Sequence, residues 1–170
     1  MKEERVKYYL EIARAIAQGS KCSRRKFGAI LVKKDTIISG GYNGSVRGSL
    51  NCGLDVPCLK DLVGEESYKS YQFCPAVHAE QNAIINAGRE RAYGSTLFLN
   101  SSEDGKCERP CRMCRRACIQ AGVYDCYYKD KENKIHHELV EDWIQLENEW
   151  MEEILKTKGG KALPQGDQGE

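Results

Sequence analysis

The chain has 170 residues, enough for one domain with a substantial hydrophobic core. Hydrophobic residues make up 41% of it, charged residues make up 30%, and the formal net charge is +1. This composition is typical of a soluble globular protein; no apolar run is long enough to cross a membrane, and the near-neutral charge argues against a nucleic-acid partner.

The hydrophobic pattern predicts alternating helices and strands. In chain order we expect a helix over 3–18, a hairpin of strands 27–32 and 36–40, a long loop over 40–74, a helix over 77–88, a strand over 96–99, a helix over 111–122, a strand over 123–128 and a helix over 138–156. The alternation predicts an α/β fold in which helices cover a layered sheet. We place one domain at 1–158 and expect the Gly- and Gln-rich tail 159–170 to be disordered. The first residues lack the apolar block of a secretory signal, so we expect a cytoplasmic protein.

Nine cysteines are many for a chain of this length. In a reducing compartment such a number favours thiolate metal ligands over disulfides, and an odd number cannot all be paired with one another. Metal sites are therefore the first hypothesis for these residues.

Two short motifs carry the chemistry. The first is His78-Ala79-Glu80, and the second is a P-C-x-x-C motif with cysteines at Cys111 and Cys114. One imidazole and two thiolates suit zinc and leave its fourth position open for water, and each motif opens a predicted helix. Glu80 is too close to His78 along the helix to be a natural ligand on the same face, but it is placed to move a proton to or from zinc-bound water.

The combination matches the signature of zinc-dependent nucleobase deaminases, in which the glutamate is not a ligand. Each of the two motifs, taken alone, also has an interpretation that involves no catalysis. A single C-x-x-C is common in structural zinc half-sites and redox pairs, and a histidine in an alanine-rich helix is often a packed core residue. The two motifs together, in this order, favour the catalytic interpretation.

The sequence resembles the cytidine and deoxycytidylate deaminase superfamily over roughly residues 5–130, and it is most similar to the deoxycytidylate (dCMP) deaminases, including the bacterial late-competence type. The segments that carry the resemblance are CSRRKFGA at 22–29, GGYNGS at 40–45, HAEQNAI at 78–84, PCRMC at 110–114 and QAG at 120–122. The resemblance implies a three-layer α/β/α cytidine-deaminase-like fold with a central mixed sheet of about five strands. It also implies a homo-oligomer, commonly a hexamer, with nucleotide regulation in many members.

The resemblance further implies that zinc-bound hydroxide attacks C4 of dCMP to give dUMP and ammonia, with Glu80 as the proton shuttle. It implies that Asn43 binds the sugar and that a second, structural zinc is held by four cysteines of the long loop and its surroundings, Cys22, Cys52, Cys58 and Cys74. Alternatively, these four are reduced thiols, buried or in loops.

A substrate phosphate requires cationic or N–H donors, and the candidates near the matching segments are Arg24, Arg25, Lys26 and Arg47. Each could equally be a solvated surface charge. Tyr127 or Tyr128 could stack on the pyrimidine, although alternation along a strand favours core packing for one of the two.

Two regions depart from the family pattern. The segment 100–109 lengthens the connection before Pro110 and should border the mouth of the site, and a long terminal helix carries Trp143 and Trp150, which either pack on the sheet or form an oligomer interface. The alternatives to a dCMP deaminase are therefore a family member acting on cytidine, deoxycytidine, dCTP or a modified base, or a catalytically inactive zinc-stabilised assembly module.

Overall fold

The computed structural model describes residues 1–64 and 73–157, so the predicted disordered tail and the boundary at 158 lie outside the described residues. The elements in chain order are α1 (Glu3–Ala17), β1 (Phe27–Lys33), β2 (Thr36–Tyr42), β3 (Gly44–Ser45), α2 (Leu59–Val63), β4 (Ala76–Val77), α3 (Ala79–Ala87), α4 (Arg89–Ala92), β5 (Thr96–Ser101), α5 (Arg112–Ala121), β6 (Asp125–Lys129), β7 (Ile135–Leu139) and α6 (Val140–Thr157).

The central sheet has five strands in the order β2-β1-β5-β6-β7. Strands β1 and β2 form an antiparallel hairpin, β5 runs antiparallel to β1, and β7 runs antiparallel to β6. Only the pair of β5 and β6 is parallel, and α5 connects these two strands. The expected mixed five-stranded α/β sheet is therefore confirmed.

Side chains alternate between the two faces of the sheet, and each face has its own hydrophobic core. Ile30, Phe98 and Tyr127 point to the face that is covered by α1. Leu31, Leu99 and their neighbours on the other face pack with residues of α3, α5 and α6. The sheet thus lies between two helical layers, and the two motif-bearing helices share one of them.

Glycine at position 41 lets β2 approach α3 closely. A Cβ at Gly41 would lie 2.5 Å from the backbone nitrogen of Ala83 and 2.8 Å from the carbonyl oxygen of Ala79. Both contacts are shorter than van der Waals distances, so a larger residue would push α3 away from the sheet. In contrast, a Cβ at Gly44 would meet nothing within 4 Å.

The C-terminal region differs most from the sequence prediction. The segment expected to precede the last helix forms the fifth strand, β7, and α6 begins at Val140 rather than at 138. Trp143 is buried under the sheet, whereas the Trp150 ring packs against the guanidinium groups of Arg112 and Arg116, at 4.3 and 5.3 Å from its centroid. The predicted loop over 40–74 also contains the short elements β3 and α2.

None of the helices described in residues 1–64 and 73–157 combines the length and apolar character needed to span a membrane.

Candidate active site

Two helix N-termini bring the motif residues together. His78 is the N-cap of α3, with its backbone extended at φ −73° and ψ 157°, and Cys111 is the N-cap of α5, at φ −64° and ψ 163°. The backbone N–H of His78 donates to the side-chain oxygen of Gln81 at 3.2 Å, which fixes the start of α3. Since α3 and α5 pack against each other, the residues at their first turns become neighbours.

The three predicted zinc ligands form one cluster. The Nδ1 atom of His78 lies 3.5 Å from the Sγ of Cys111 and 3.3 Å from the Sγ of Cys114. Among residues 1–64 and 73–157, no other group of three or more histidine, cysteine or acidic residues has its ligand atoms within 4.8 Å of one another.

The donor set fits zinc. Tetrahedral zinc with Zn–S bonds of about 2.3 Å and Zn–N bonds of about 2.0 Å would separate its donors by roughly 3.5 Å. The observed distances of 3.3 and 3.5 Å are close to this value. Three protein donors also leave a fourth position for a non-protein ligand, as in catalytic rather than structural zinc sites.

The electrostatic surroundings shift the pKa values of the two thiols in opposite directions. The hydrogen bond with Cys114 lowers the pKa of the Cys111 thiol to about 4, with His78 acting in the same direction against the effect of burial. The same hydrogen bond, together with burial, raises the pKa of Cys114. The hydrogen bond with Cys111 raises the pKa of His78. A bound divalent cation would favour the thiolate form of both cysteines.

Glu80 lies in the first turn of α3, beside the cluster. Only 5% of the residue is exposed, and burial raises the pKa of its carboxyl group. The positive charge of protonated His78 opposes this shift, while the negative charge of the Cys111 thiolate adds to it. Burial therefore favours the protonated carboxyl group relative to that of an exposed glutamate, which suits a residue that must give up a proton as well as accept one.

A cavity of about 190 Å³ opens onto this cluster and contains both apolar and polar groups. Its walls include Phe27, Leu99, Asn43, His78, Glu80 and Cys111. Apolar walls with a few polar groups are typical of a small-molecule site.

Only some of the predicted substrate contacts lie at this cavity. Asn43, Arg24 and Arg25 line it. The Asn43 side chain accepts a hydrogen bond from the backbone N–H of Phe27 at 2.7 Å and donates to the carbonyl oxygen of Arg25 at 2.9 Å, so it also fixes the backbone of the cavity wall.

The other predicted substrate contacts lie elsewhere. Lys26 is not among the residues that line the cavity, and Arg47 lines a separate groove and donates to Asn86. Tyr127 is stacked between Phe98 and His137 in the core on the α1 face of the sheet. Tyr128 lies in the opposite core, where its hydroxyl donates to a carboxylate of β7.

The four cysteines of the predicted second zinc site, Cys22, Cys52, Cys58 and Cys74, all line the cavity. Burial raises the pKa of Cys52, and the neighbouring Cys58 and Cys22 add to this effect. The structure therefore places these four residues at the same cavity, although no three of their sulfur atoms all lie within 4.8 Å of one another.

Sequence reasoning missed three charged residues that line the cavity, Lys60, Glu108 and Arg109. The Oε1 atom of Glu108 forms ion pairs with Nη1 of Arg25 at 3.0 Å and with Nζ of Lys131 at 2.9 Å. The sequence did indicate that segment 100–109 would border the mouth of the site. It carried no signal that identified these side chains, because their position depends on contacts with distant parts of the chain.

A three-layer α/β/α fold with one imidazole and two thiols at neighbouring helix N-termini, beside a buried glutamate, defines the cytidine-deaminase-like class of proteins. Residues 3–130 match the model of the cytidine and deoxycytidylate deaminase zinc-binding region, and the chain belongs to this family. The resemblance inferred from the sequence motifs is confirmed.

Several proteins that the chain is similar to are deoxycytidylate deaminases. The enzyme of Mycobacterium phage D29 is 36% identical over 123 residues, which cover 71% of this chain and 91% of that protein. The enzyme of Schizosaccharomyces pombe is 31% identical over 131 residues, which cover 76% of this chain but only 38% of that protein. The chain thus matches well under half the length of the yeast relative.

Among solved structures, the dCMP deaminase of cyanophage S-TIM5 in complex with dCMP and dUMP is 30% identical and superposes with a TM-score of 0.54. The superposition covers 76% of this chain and 84% of that one.

Proposed function

We propose that the protein catalyses the hydrolytic deamination of dCMP to dUMP and ammonia. The observation that carries this proposal is the cluster of His78, Cys111 and Cys114, which opens onto the same cavity as the buried carboxyl group of Glu80. The named relatives support dCMP as the substrate, since one of their structures holds dCMP and dUMP.

We assign the catalytic metal to His78, Cys111 and Cys114, and Zn²⁺ is the ion that best fits their donor atoms. Zinc held there would supply Lewis acidity, which lowers the pKa of a coordinated water toward about 7. The protein's own part is to present two thiols and an imidazole whose donor atoms already lie close together.

Glu80 is assigned the proton transfers. Its ionised carboxylate takes one proton from the attacking water and delivers it to the ring nitrogen N3 of cytosine. It then takes the second proton, from the hydroxyl group formed at C4, and delivers it to the amino group, which leaves as ammonia. A raised pKa suits this role because it makes the protonated form, which must deliver the proton, more accessible than in an exposed glutamate.

Asn43, Arg24 and Arg25 are the predicted substrate contacts that the cavity geometry supports. We assign the sugar to Asn43, which is rigidly held by two backbone hydrogen bonds. Lys26, Arg47, Tyr127 and Tyr128 stay predictions that this geometry does not support.

A second, structural zinc at Cys22, Cys52, Cys58 and Cys74 is part of the proposal. Its support is that all four cysteines line the cavity. Binding would require their sulfur atoms to draw together into a closed tetrahedral site. Metal analysis of the purified protein tests this: two zinc ions per chain, falling to one in Cys58→Ser, is the expected result, whereas one ion in both proteins would contradict it.

We also propose one deaminase domain over 1–158, assembly into a homo-oligomer and a cytoplasmic location. The cytoplasmic location is supported by the nine cysteines, none of which forms a disulfide, since a reducing compartment keeps cysteines in that state.

The test of the main proposal is ammonia release from a panel of dCMP, deoxycytidine, CMP and dCTP, with products identified by chromatography. We expect dCMP to have the highest kcat/KM and to yield dUMP. An equal kcat/KM for deoxycytidine and dCMP would contradict the proposal that the substrate is a nucleoside monophosphate. A zinc-loaded protein that releases ammonia from no member of the panel would overturn the proposed function.

A further inference from the structure

The C-terminal arm, which we define as residues 131–157, begins where the family match ends at residue 130. It consists of β7, which pairs with β6, and α6, which packs against α5. Helix α5 begins immediately after Cys111 and carries Cys114. The arm therefore packs against the helix whose N-terminal end holds Cys111 and Cys114, two of the proposed metal ligands.

One carboxylate of the arm, that of Glu138, collects hydrogen bonds from three other side chains. The Tyr128 hydroxyl donates to its Oε1 atom at 2.7 Å, and Trp143 Nε1 donates to Oε2 at 2.5 Å. Arg109 Nε donates to the same Oε2 at 2.8 Å, and its Nη2 lies 2.7 Å from that oxygen in an ion pair. A carboxylate held from three directions has little freedom to rotate, so it is a firm anchor for the Arg109 guanidinium.

Arg109 links this anchor to the cavity. It lines the same cavity as Glu80 and directly precedes Pro110 and Cys111 in the chain. Because proline restricts the backbone, fixing the side chain of Arg109 also restricts the path of the chain into the ligand Cys111. A guanidinium group has five N–H donors, and the contacts with Glu138 use only two of its nitrogen atoms.

The other arginines at the cavity are anchored less firmly. Arg24 pairs with Asp61, whose side chain is 60% exposed, and Arg25 pairs with Glu108, whose side chain is 39% exposed. The Glu138 side chain is 21% exposed and has further donors of its own. Since exposed ion pairs hold a side chain weakly, Arg109 is the best positioned of these three cations.

We infer that Glu138 is a positioning residue that holds Arg109 at the cavity to bind the phosphate group of the nucleotide substrate. Arginine suits this task because its planar donors match phosphate oxygens and do not lose their charge. The inference rests on the proposed function and deepens it, since it assigns the preference for a nucleotide over a nucleoside to a residue outside the family match.

The experiment compares Glu138→Gln with Glu147→Gln, using KM and kcat for dCMP and kcat/KM for deoxycytidine. The two changes remove the same charge from the same arm. Glu147 pairs with Arg112 and Arg116 on α5, and neither of these lines the cavity, so it is a matched control. We expect Glu138→Gln to raise the KM for dCMP about tenfold and to leave kcat for dCMP and kcat/KM for deoxycytidine little changed. Glu147→Gln should leave all three of these kinetic constants near their wild-type values.

A double-mutant cycle separates positioning from a general structural effect. Arg109→Ala alone should raise the KM for dCMP by about 10- to 100-fold, the factor for loss of a charge-assisted hydrogen bond. Adding Glu138→Gln to Arg109→Ala should then change the KM little, because the side chain that Glu138 positions is gone. Independent multiplication of the two effects would overturn the inference, as would equal losses for dCMP and deoxycytidine or an equal effect of Glu147→Gln.

The failure of this inference can be told apart from that of the proposed function. Calorimetric binding of dUMP to the same variants does not depend on turnover. We expect weaker binding in Glu138→Gln and Arg109→Ala, and unchanged binding in both would refute the phosphate contact whether or not dCMP is deaminated. If Glu138→Gln does not fold, Arg109→Ala still decides the phosphate contact, because the changed side chain is 40% exposed and tolerates truncation better.

Discussion

Replacement of Glu80 by glutamine tests the acid–base role most directly. Glutamine has nearly the same shape but cannot carry the proton, and loss of a general acid–base group usually lowers the rate by about 10²- to 10⁴-fold. The only other described acid at the cavity, Glu108, is held in ion pairs with Arg25 and Lys131 and cannot easily substitute. We therefore expect kcat for dCMP to fall by about 10³-fold, which is about 4 kcal/mol of transition-state stabilisation.

The fold and the metal should survive this change. Burial disfavours the charged form of Glu80, so a neutral amide at this site should not lower the free energy of unfolding. The measurements are steady-state ammonia release, zinc content by elemental analysis and urea unfolding, with Glu108→Gln as a comparison whose loss of kcat should be far smaller. A zinc-loaded Glu80→Gln protein with a kcat within tenfold of wild type would refute the assigned role.

Three further predictions concern the metal, the packing of α3 and the arm. Chelation should abolish ammonia release and stoichiometric Zn²⁺ should restore it; activity that persists in protein shown by elemental analysis to be metal-free would contradict the zinc assignment. Gly41→Ala should lower the free energy of unfolding by about 1–3 kcal/mol, because its Cβ would overlap the backbone of α3, whereas Gly44→Ala should unfold at the same urea concentration as wild type. Burial opposes ionisation of Glu138, but hydrogen bonds from Tyr128, Trp143 and Arg109 outweigh it and lower its pKa below the usual 4.5. Its stabilising contribution is therefore complete above that value and lost as pH falls through the folded-state pKa, so the wild type should lose more unfolding free energy between pH 7 and 3 than Glu138→Gln; parallel pH curves would count against this.

Local patterns were sufficient to predict most of the fold. The helical spacing of apolar residues over 3–18 and the Ile- and Val-rich runs around Lys34 and Asp35 correspond to α1 and the β1–β2 hairpin within a few residues. Strand β7 escaped prediction because its sequence, IHHEL, is polar and lacks strict alternation. It is a strand because it pairs with β6 at the edge of the sheet. Such a tertiary contact leaves no periodic pattern of hydrophobic residues in the local sequence.

The chemistry of the site was easier to predict than its walls. The cluster of His78, Cys111 and Cys114 could be predicted because the proposed metal ligands must be particular residue types at particular spacings. Charged residues on a cavity wall have no such signature. Arg109 owes its position to Glu138, 29 positions later in the chain, and Arg24 and Arg47 look alike in sequence although only the first lies at the cavity.

Both tryptophans of the chain lie on α6, which has a consequence for spectroscopy. Trp143 is buried, whereas Trp150 rests on two arginines of α5. Intrinsic tryptophan fluorescence therefore reports on the attachment of one terminal helix, while far-ultraviolet circular dichroism reports on the whole sheet and its helices. If α6 detaches before the sheet unfolds, the two signals will give different urea midpoints, and the fluorescence emission will shift to the red first.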